Sequence, residues 1–386
     1  MPLAKGSLVP ASLLAICAFT SIAARADDGN DPPNRYVVTN LTSDTPNIPA
    51  ANTDPVLQNA WGVAFTPGAS PFWIADNATG CSTLYDGTGA KVAIQVAIPL
   101  PGGSVPKTAC QTVMPNTNPM NAAPTGMVWN PTTGSTGFLV PGTDITAAFI
   151  WATEDGTVSA WAMTLPDASH AVEAVNNSPN AVYKGLAVGT NTHGVFLYAT
   201  DFRGAKIDVF APPDFSPANS TQIAGSFTDP NIPSGFAPFG IQNINGNLFV
   251  TYALQDQQKH DDVAGKGNGF VDVFDTSGNL IGRFASQGTL NSPWGVSRAS
   301  FAFGRFSGDI LVGNFGDGRI TAFGNDGKPH GLLRDAMTNK PLAIDGLWTI
   351  TLGGGRNSDS DVLYFTAGPN DEKDGLFGTI TPASTP

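Results

Sequence analysis

The chain has 386 residues, of which 44 are Gly and 31 Pro, and only 13% are charged, against about 25% in an ordinary globular domain. That composition argues against long surface helices, which need Lys and Glu, and favours turn-dense β structure. The 31 acidic and 19 basic side chains leave a net charge of −12, a field that repels phosphate backbones and anionic lipid and so excludes nucleic acid as a partner.

The N-terminus carries Lys5, an apolar run from Leu8 to Ala23 broken by Pro10, and then Ala24-Arg25-Ala26. Charge, apolar stretch and small-residue site together predict a secretory signal peptide over 1–26. The alternative is an uncleaved anchor helix, but the run is short and interrupted for a membrane span. The expected mature chain, 27–386, is a single domain of charge −14 after loss of Lys5 and Arg25. Its expected destination is secreted or periplasmic, with no stable membrane span after cleavage.

Next comes Tyr36 to Leu41, which alternates as a strand does. Six similar units follow. Each opens on a short apolar strand around a Gly: Trp61-Gly62-Val63, Thr125-Gly126-Met127, Lys184-Gly185-Leu186, Phe239-Gly240-Ile241, Trp294-Gly295-Val296 and Asp345-Gly346-Leu347. The Gly-to-Gly spacings are 64, 59, 55, 55 and 51 residues. A second, continuously apolar strand follows in each unit, such as Phe72 to Asp76 or Asp309 to Gly313. Such runs suit strands covered on both faces. A polar turn leads to an alternating third strand, clearest at Lys206 to Phe210, Phe270 to Phe274 and Arg319 to Phe323. Fourth strands are weaker, as at Leu280 to Phe284.

A four-stranded repeat of this length predicts an all-β, six-bladed β-propeller with antiparallel blades. The last unit ends near Thr381 after its third strand, so the N-terminal strand is expected to close the last blade. Two stacked sandwiches, or a stray edge strand, are the alternatives. In a propeller, the turns between second and third strands share a face with the interblade connections. That face collects Asp76 and Asn77, Glu154 and Asp155, Asp201 and Arg203, His260 to Asp262, Asn314 and Asp317, and Asn370 to Glu372.

The units resemble NHL-type repeats: a Pro-x-Gly entrance at Pro238 and Pro293, an apolar strand ending near Ala-Asp or Gly-Asn, and a turn into an Arg/Lys-Ile-x-x-Phe strand. The chain as a whole resembles a family of uncharacterised exported bacterial propeller proteins. The likeness is carried by Leu57 to Gly62, Thr143 to Thr157, Tyr198 to Arg203, His260 to Gly265, Gly313 to Arg319 and Phe365 to Asn370. The resemblance implies the fold and export, and implies no activity, since propellers host many chemistries.

Six-bladed lactonases and related hydrolases hold calcium or another divalent ion at the channel mouth with oxygen ligands. Here Glu154, Asp201, Asp262, Asn314 and Asn370 are the candidate metal ligands, one from each of five blades. With Arg203 they are also the candidate ligand-binding set. No four-ligand pattern of those enzymes aligns onto them, and the chain has only three Glu. Their other reading is as turn caps. His260 with Asp261 is the candidate general base, on a polar insertion without a matched nucleophile. The remaining His170, His193 and His330 lack zinc-ligand spacing. Asn357 to Asp361 alternates oxygen side chains but lacks the glycine and glutamate of a calcium loop. Cys81 and Cys110 are expected to form a disulfide pinning the 101–121 insertion.

Two functions follow. One is a monomeric, non-catalytic scaffold that binds a small molecule or a protein. The other is a divalent-metal-dependent hydrolase of the gluconolactonase-like kind, with its site in the channel mouth.

Overall fold

The computed structural model describes residues 32–383 except 69, 115–119 and 133–135. The expected signal peptide lies outside the described residues. Six blades of four antiparallel strands make up the fold, and the sheet of blade 6 carries a short fifth strand, Asn52–Thr53, parallel to Tyr36–Ser43. Blade 1 is Ala60–Ala64, Phe72–Asp76, Cys81–Tyr85 and Lys91–Ala97. Blade 2 is Pro124–Trp129, Phe149–Thr153, Thr157–Trp161 and Val172–Asn176. Blade 3 is Tyr183–Asn191, Gly194–Asp201, Lys206–Ala211 and the two-residue Ser216–Pro217. Blade 4 is Phe236–Ile244, Asn247–Leu254, Phe270–Asp275 and Leu280–Ser286. Blade 5 is Pro293–Arg298, Ile310–Asn314, Ile320–Phe323 and Pro329–Leu332. Blade 6 is Leu347–Leu352, Leu363–Ala367 and Leu376–Pro382, completed by Tyr36–Ser43.

The propeller is therefore six-bladed and closed as expected. The N-terminal strand pairs antiparallel with the last strand from Tyr36↔Pro382 to Ser43↔Leu376. The seam with blade 1 is apolar: Phe72 and Tyr85 pack against Tyr364 and Phe377. Thr42 Oγ1 donates across it to Gly89 O at 2.7 Å.

One local device recurs around the ring. In every blade the inner strand breaks register with the second strand, at Ala60/Val63, Pro124/Met127, Tyr183/Leu186, Pro238/Ile241, Pro293/Gly295 and Leu347/Ile350. The bulge frees a backbone N–H, which must find another partner. In blades 3, 4 and 6 a threonine of the second strand supplies it. Gly185 N donates to Thr200 Oγ1 at 2.7 Å, Gly240 N to Thr251 Oγ1 at 2.8 Å and Thr349 N to Thr366 Oγ1 at 3.3 Å.

At the bulge, neighbouring inner strands nearly touch. A Cβ on Gly62 would lie 2.3 Å from Thr125 O, and one on Gly240 would lie 2.1 Å from Trp294 O. Gly126, Gly185 and Gly295 are equally confined, at 2.4, 2.9 and 2.5 Å from the next blade's backbone. Glycine is required here for close approach.

The sixth member of this column corrects the sequence alignment. It is Thr349, not Gly346, and it lies 54 residues after Gly295. Thr349 Oγ1 donates to Trp61 O at 2.8 Å. Gly346 instead serves a turn at φ +65, backed against Gly368 O. A glycine three residues away from the ring position captured the alignment.

The residues just before this column, Trp61, Thr125, Lys184, Phe239, Trp294 and Trp348, belong to the six inner strands at one end of the channel. Trp61 stacks on Trp348 at 3.7 Å between ring centroids, and Phe315 on Trp348's other side at 3.9 Å. Trp294 and Phe239 each stand 6.0 Å from Trp348. Aromatic rings thus plug the channel at this end, and a cavity of about 60 Å³ lies among the inner strands.

Cys81 and Cys110 form the expected disulfide, with their Cα atoms 4.9 Å apart. It ties the connection between blades 1 and 2 to the start of a strand. Among the described residues, no helix is long and apolar enough to cross a membrane.

Candidate functional site

Over the aromatic plug, five blades contribute polar side chains to one network. Asn59 precedes blade 1's inner strand, at φ 48. It accepts from Trp348 Nε1 at 2.9 Å and donates to Asn77 Oδ1 at 3.2 Å and Glu372 Oε2 at 2.7 Å. Asn77 in turn donates to Glu154 Oε2 at 2.9 Å. Glu154's other oxygen accepts a hydrogen bond from Lys184 Nζ. Lys184 also reaches Asp261 Oδ1 at 3.4 Å. His260 Nδ1 lies 2.8 Å from that same Asp261 oxygen.

Lys184 is the centre of this arrangement. Its side chain is 3% exposed. The ammonium sits 5.2 Å from the Trp61 ring centroid and 5.9 Å from Phe202, a cation–π setting. Burial pulls its pKa down, but the charges of Glu154, Asp261 and Glu372 outweigh burial and raise it. The mouth therefore holds a permanent internal cation.

The carboxylates differ in character. Burial, reinforced by the nearby Glu154 charge, pushes Glu372 up to about 7. The hydrogen bond from His260, aided by Lys184, lowers Asp261 to about 2. The same Asp261 bond raises His260. The site thus pairs a carboxyl that exchanges its proton near neutrality with one that stays ionised, the kind of split seen where acid and base roles are divided.

The backbone that delivers Glu372 is unusual. Asn370, Asp371 and Glu372 have φ of 59, 55 and 63, a left-handed turn within Pro369–Glu372. Left-handed backbone costs an L-residue roughly 1–2 kcal/mol. Asp345 Oδ2 accepts from Asn370 N at 2.9 Å, and Gly368 O accepts from Glu372 N at 3.1 Å.

The sequence-named residues divide sharply. Glu154, His260 and Asp261 bring one ligand atom each within 4.8 Å of one another. Of the five expected metal ligands, that group includes Glu154 alone. Asp201 Oδ1 accepts from Val182 N at 3.1 Å and Gly204 N at 2.9 Å, so it caps its own turn. Asn314 donates to Thr289 O at 2.8 Å and Asp317 Oδ1 at 3.0 Å, and accepts from Asn291 N at 3.1 Å. Asn370 donates to Asp374 within its loop. Arg203 donates to Pro179 O at 2.7 Å. Asp262 bridges to Gln255 through the backbone, and burial raises its carboxyl. Backbone N–H groups and carbonyls claim the side chains of Asp201, Asn314 and Arg203 first.

Asn59 and Lys184 were not among the sequence candidates, and Glu372 was placed on the polar face without a role. Lys184 had a readable signal: it is the one charged residue in the column Trp61, Thr125, Lys184, Phe239, Trp294, Trp348. Glu372 had a fainter one, being one of three Glu in the chain.

The residues fit a divalent cation in part. Glu154, Asp261 and neutral His260 offer a carboxylate–imidazole set, but an ion there must displace Lys184 from both carboxylates and the proton from His260. A cavity of about 710 Å³ lies elsewhere, on the rim of blade 3.

No family model matches the sequence. One uncharacterized protein of Acanthamoeba polyphaga mimivirus is 32% identical over 351 residues, covering 89% of this chain and 79% of that protein. A second from the same virus is 31% identical over 358 residues, covering 90% and 87%. Among solved structures, a gluconolactonase of Xanthomonas campestris is similar with a TM-score of 0.48 at 12% identity, covering 84% of this chain and 86% of that one.

Proposed function

From the premise that the chain belongs to one family with these two mimivirus proteins, we propose that it is an exported propeller that binds a small polar ligand at its channel mouth. One observation carries this reading. Asn59, Asn77, Glu154, Lys184, His260, Asp261 and Glu372, drawn from five blades, converge over an aromatic floor in one hydrogen-bonded network. Convergent polar groups over an apolar base are what a small-ligand site requires. The network offers donors at Lys184 and the amides, and acceptors at Asp261 and Glu154. That set matches a hydroxylated or amine-bearing molecule. The Cys81–Cys110 bridge suits an oxidising compartment, which supports export.

The second reading is a divalent-metal-dependent hydrolase acting on lactones or esters. It is favoured by the Glu154–His260–Asp261 group. In it, these residues would hold the ion, which supplies Lewis-acid polarisation of a carbonyl, and Glu372 would carry the proton.

Titration calorimetry with Ca²⁺, Mn²⁺ and Zn²⁺, alongside a panel of polyols, sugar acids and lactones, separates the two. Scaffold binding predicts saturable uptake of an organic ligand without metal, lost in Glu372→Gln. Stoichiometric metal binding abolished by Glu154→Gln, with lactone turnover that needs the ion, favours the hydrolase. A protein that takes up neither refutes both.

A further inference from the structure

Blade 3 is unfinished at its rim. Its fourth strand pairs with the third only at Phe210↔Pro217 and Ala211↔Ser216. One more backbone bond joins Ala218 N to Val209 O at 2.8 Å. In blades 1, 2, 4 and 6 the outer pairing runs to the first residue of the third strand, at Cys81, Thr157, Phe270 and Leu376. In blade 3 the chain leaves after Ala218 and crosses to blade 4. There Gly225 N bonds Ser277 O at 2.8 Å and Phe227 N bonds Gly278 O at 3.0 Å. Ile223 and Phe227 are buried in the cluster that contains Phe274 of blade 4.

Lys206, Ile207 and Asp208 therefore have no fourth-strand neighbour. Val209 turns its carbonyl outward to Ala218, and backbone direction repeats every two residues. The N–H and C=O of Ile207 thus face the same open side. The place where a fourth strand would lie is the 710 Å³ cleft. Asn177, Asn180, Ser220, Ser226 and Ile207 are among the residues that line it. An open edge beside a cavity of this size is a template for another strand.

We propose that this cleft docks an extended, neutral-to-basic segment of a partner protein, which adds antiparallel along Lys206–Val209 as the missing fourth strand of blade 3. Charge selects the occupant. Lys206 pairs with both Asp208 and Asp201, leaving one carboxylate in excess on a chain whose net charge is −12. Acidic segments are repelled. The amide and hydroxyl walls accept short polar side chains, and main-chain hydrogen bonds supply the affinity. Lys206, 56% exposed at the edge's start, opposes indiscriminate sheet stacking.

The probe is a fluorescent heptapeptide copying the chain's own blade 1 fourth strand, Lys91–Ala97. Two control peptides carry N-methyl groups on alternate amides, in the two possible phases. The expected result is saturable anisotropy and about tenfold slower hydrogen exchange at the outward-facing Ile207 amide. One methylation phase abolishes binding and the other spares it. Ser220→Trp, at an exposed position in the cleft wall, removes binding, whereas Glu372→Gln leaves it intact, so this result stands or falls apart from the channel-mouth reading. Absence of saturation up to about 1 mM, equal binding of both methylated peptides, or unchanged exchange overturns the proposal. So does protection of the cleft by an oligosaccharide but not by the peptide.

Discussion

Replacing Lys184 by Met tests the central claim about the channel mouth. The ammonium is 3% exposed and its partner Glu154 13% exposed, while Asp261 is 66% exposed. The loss is therefore governed by the Glu154 pair, with Asp261 largely screened by water. Removing one member of a buried pair costs about 3–5 kcal/mol, because the other charge is left unpaired. Lys184→Met should lose that much in urea unfolding at pH 7. Glu154→Gln in the Lys184→Met background removes the orphan charge, so the double variant should recover part of the loss. The cycle should give a coupling of roughly 1–3 kcal/mol. The sign with pH follows from linkage. Without the ammonium, the folded carboxyls hold protons more tightly than the unfolded chain does. The folded state then binds more protons, and stability falls as pH rises. The deficit of Lys184→Met should thus shrink on acidification towards pH 5. A loss below about 1 kcal/mol, or strict additivity in the cycle, would refute the view of Lys184 as the electrostatic keystone.

Three other predictions follow from the described geometry. Glu372 titrates at about 7 in the folded state against 4.5 as the ordinary value; its raised pKa means that wild-type stability declines as pH rises through that window. Glu372→Gln should flatten the decline, and identical pH profiles would contradict its burial. Gly240→Ala forces a methyl to 2.1 Å from Trp294 O, whereas Gly282 has nothing within 4 Å. The first should cost at least about 1–3 kcal/mol by thermal unfolding and Gly282→Ala close to nothing; equal effects would discredit the close packing of the ring. Cys81→Ser with Cys110→Ser should cost about 2–4 kcal/mol, and reductant should lower the melting temperature of the wild type but not of this variant.

The architecture was largely readable because it repeats. Apolar second strands and Gly-bearing inner strands recur, and a blade cannot bury both faces alone, so the pattern demands a ring. The closing role of Tyr36–Ser43 was readable from a strand without a hairpin partner and a last unit one strand short. The sixth ring position was not, because Thr349 does the work of a glycine there by turning its hydroxyl on Trp61 O. The site was legible only in part. Glu154, His260 and Asp261 were named from loop position and residue type. Asp201 and Asn314 share those traits, yet they are consumed by backbone groups of their turns and of the preceding interblade connections. Glu372 enters the mouth only because three successive residues adopt left-handed backbone, a conformation that Asn370, Asp371 and Glu372 do not announce.

The pairing of Tyr36 with Pro382 joins residues 346 positions apart. Loop-closure entropy rises slowly with length, but such distant pairing slows folding markedly. As the chain is made, blades 1 to 5 can assemble in order, while Tyr36–Ser43 lacks its antiparallel partner until Leu376–Pro382 has emerged. Until then the faces of Phe72 and Tyr85 that meet blade 6 remain uncovered. The ring therefore keeps one adhesive seam open until blade 6 has been made, and the pairing that covers it joins Tyr36–Ser43 to Leu376–Pro382.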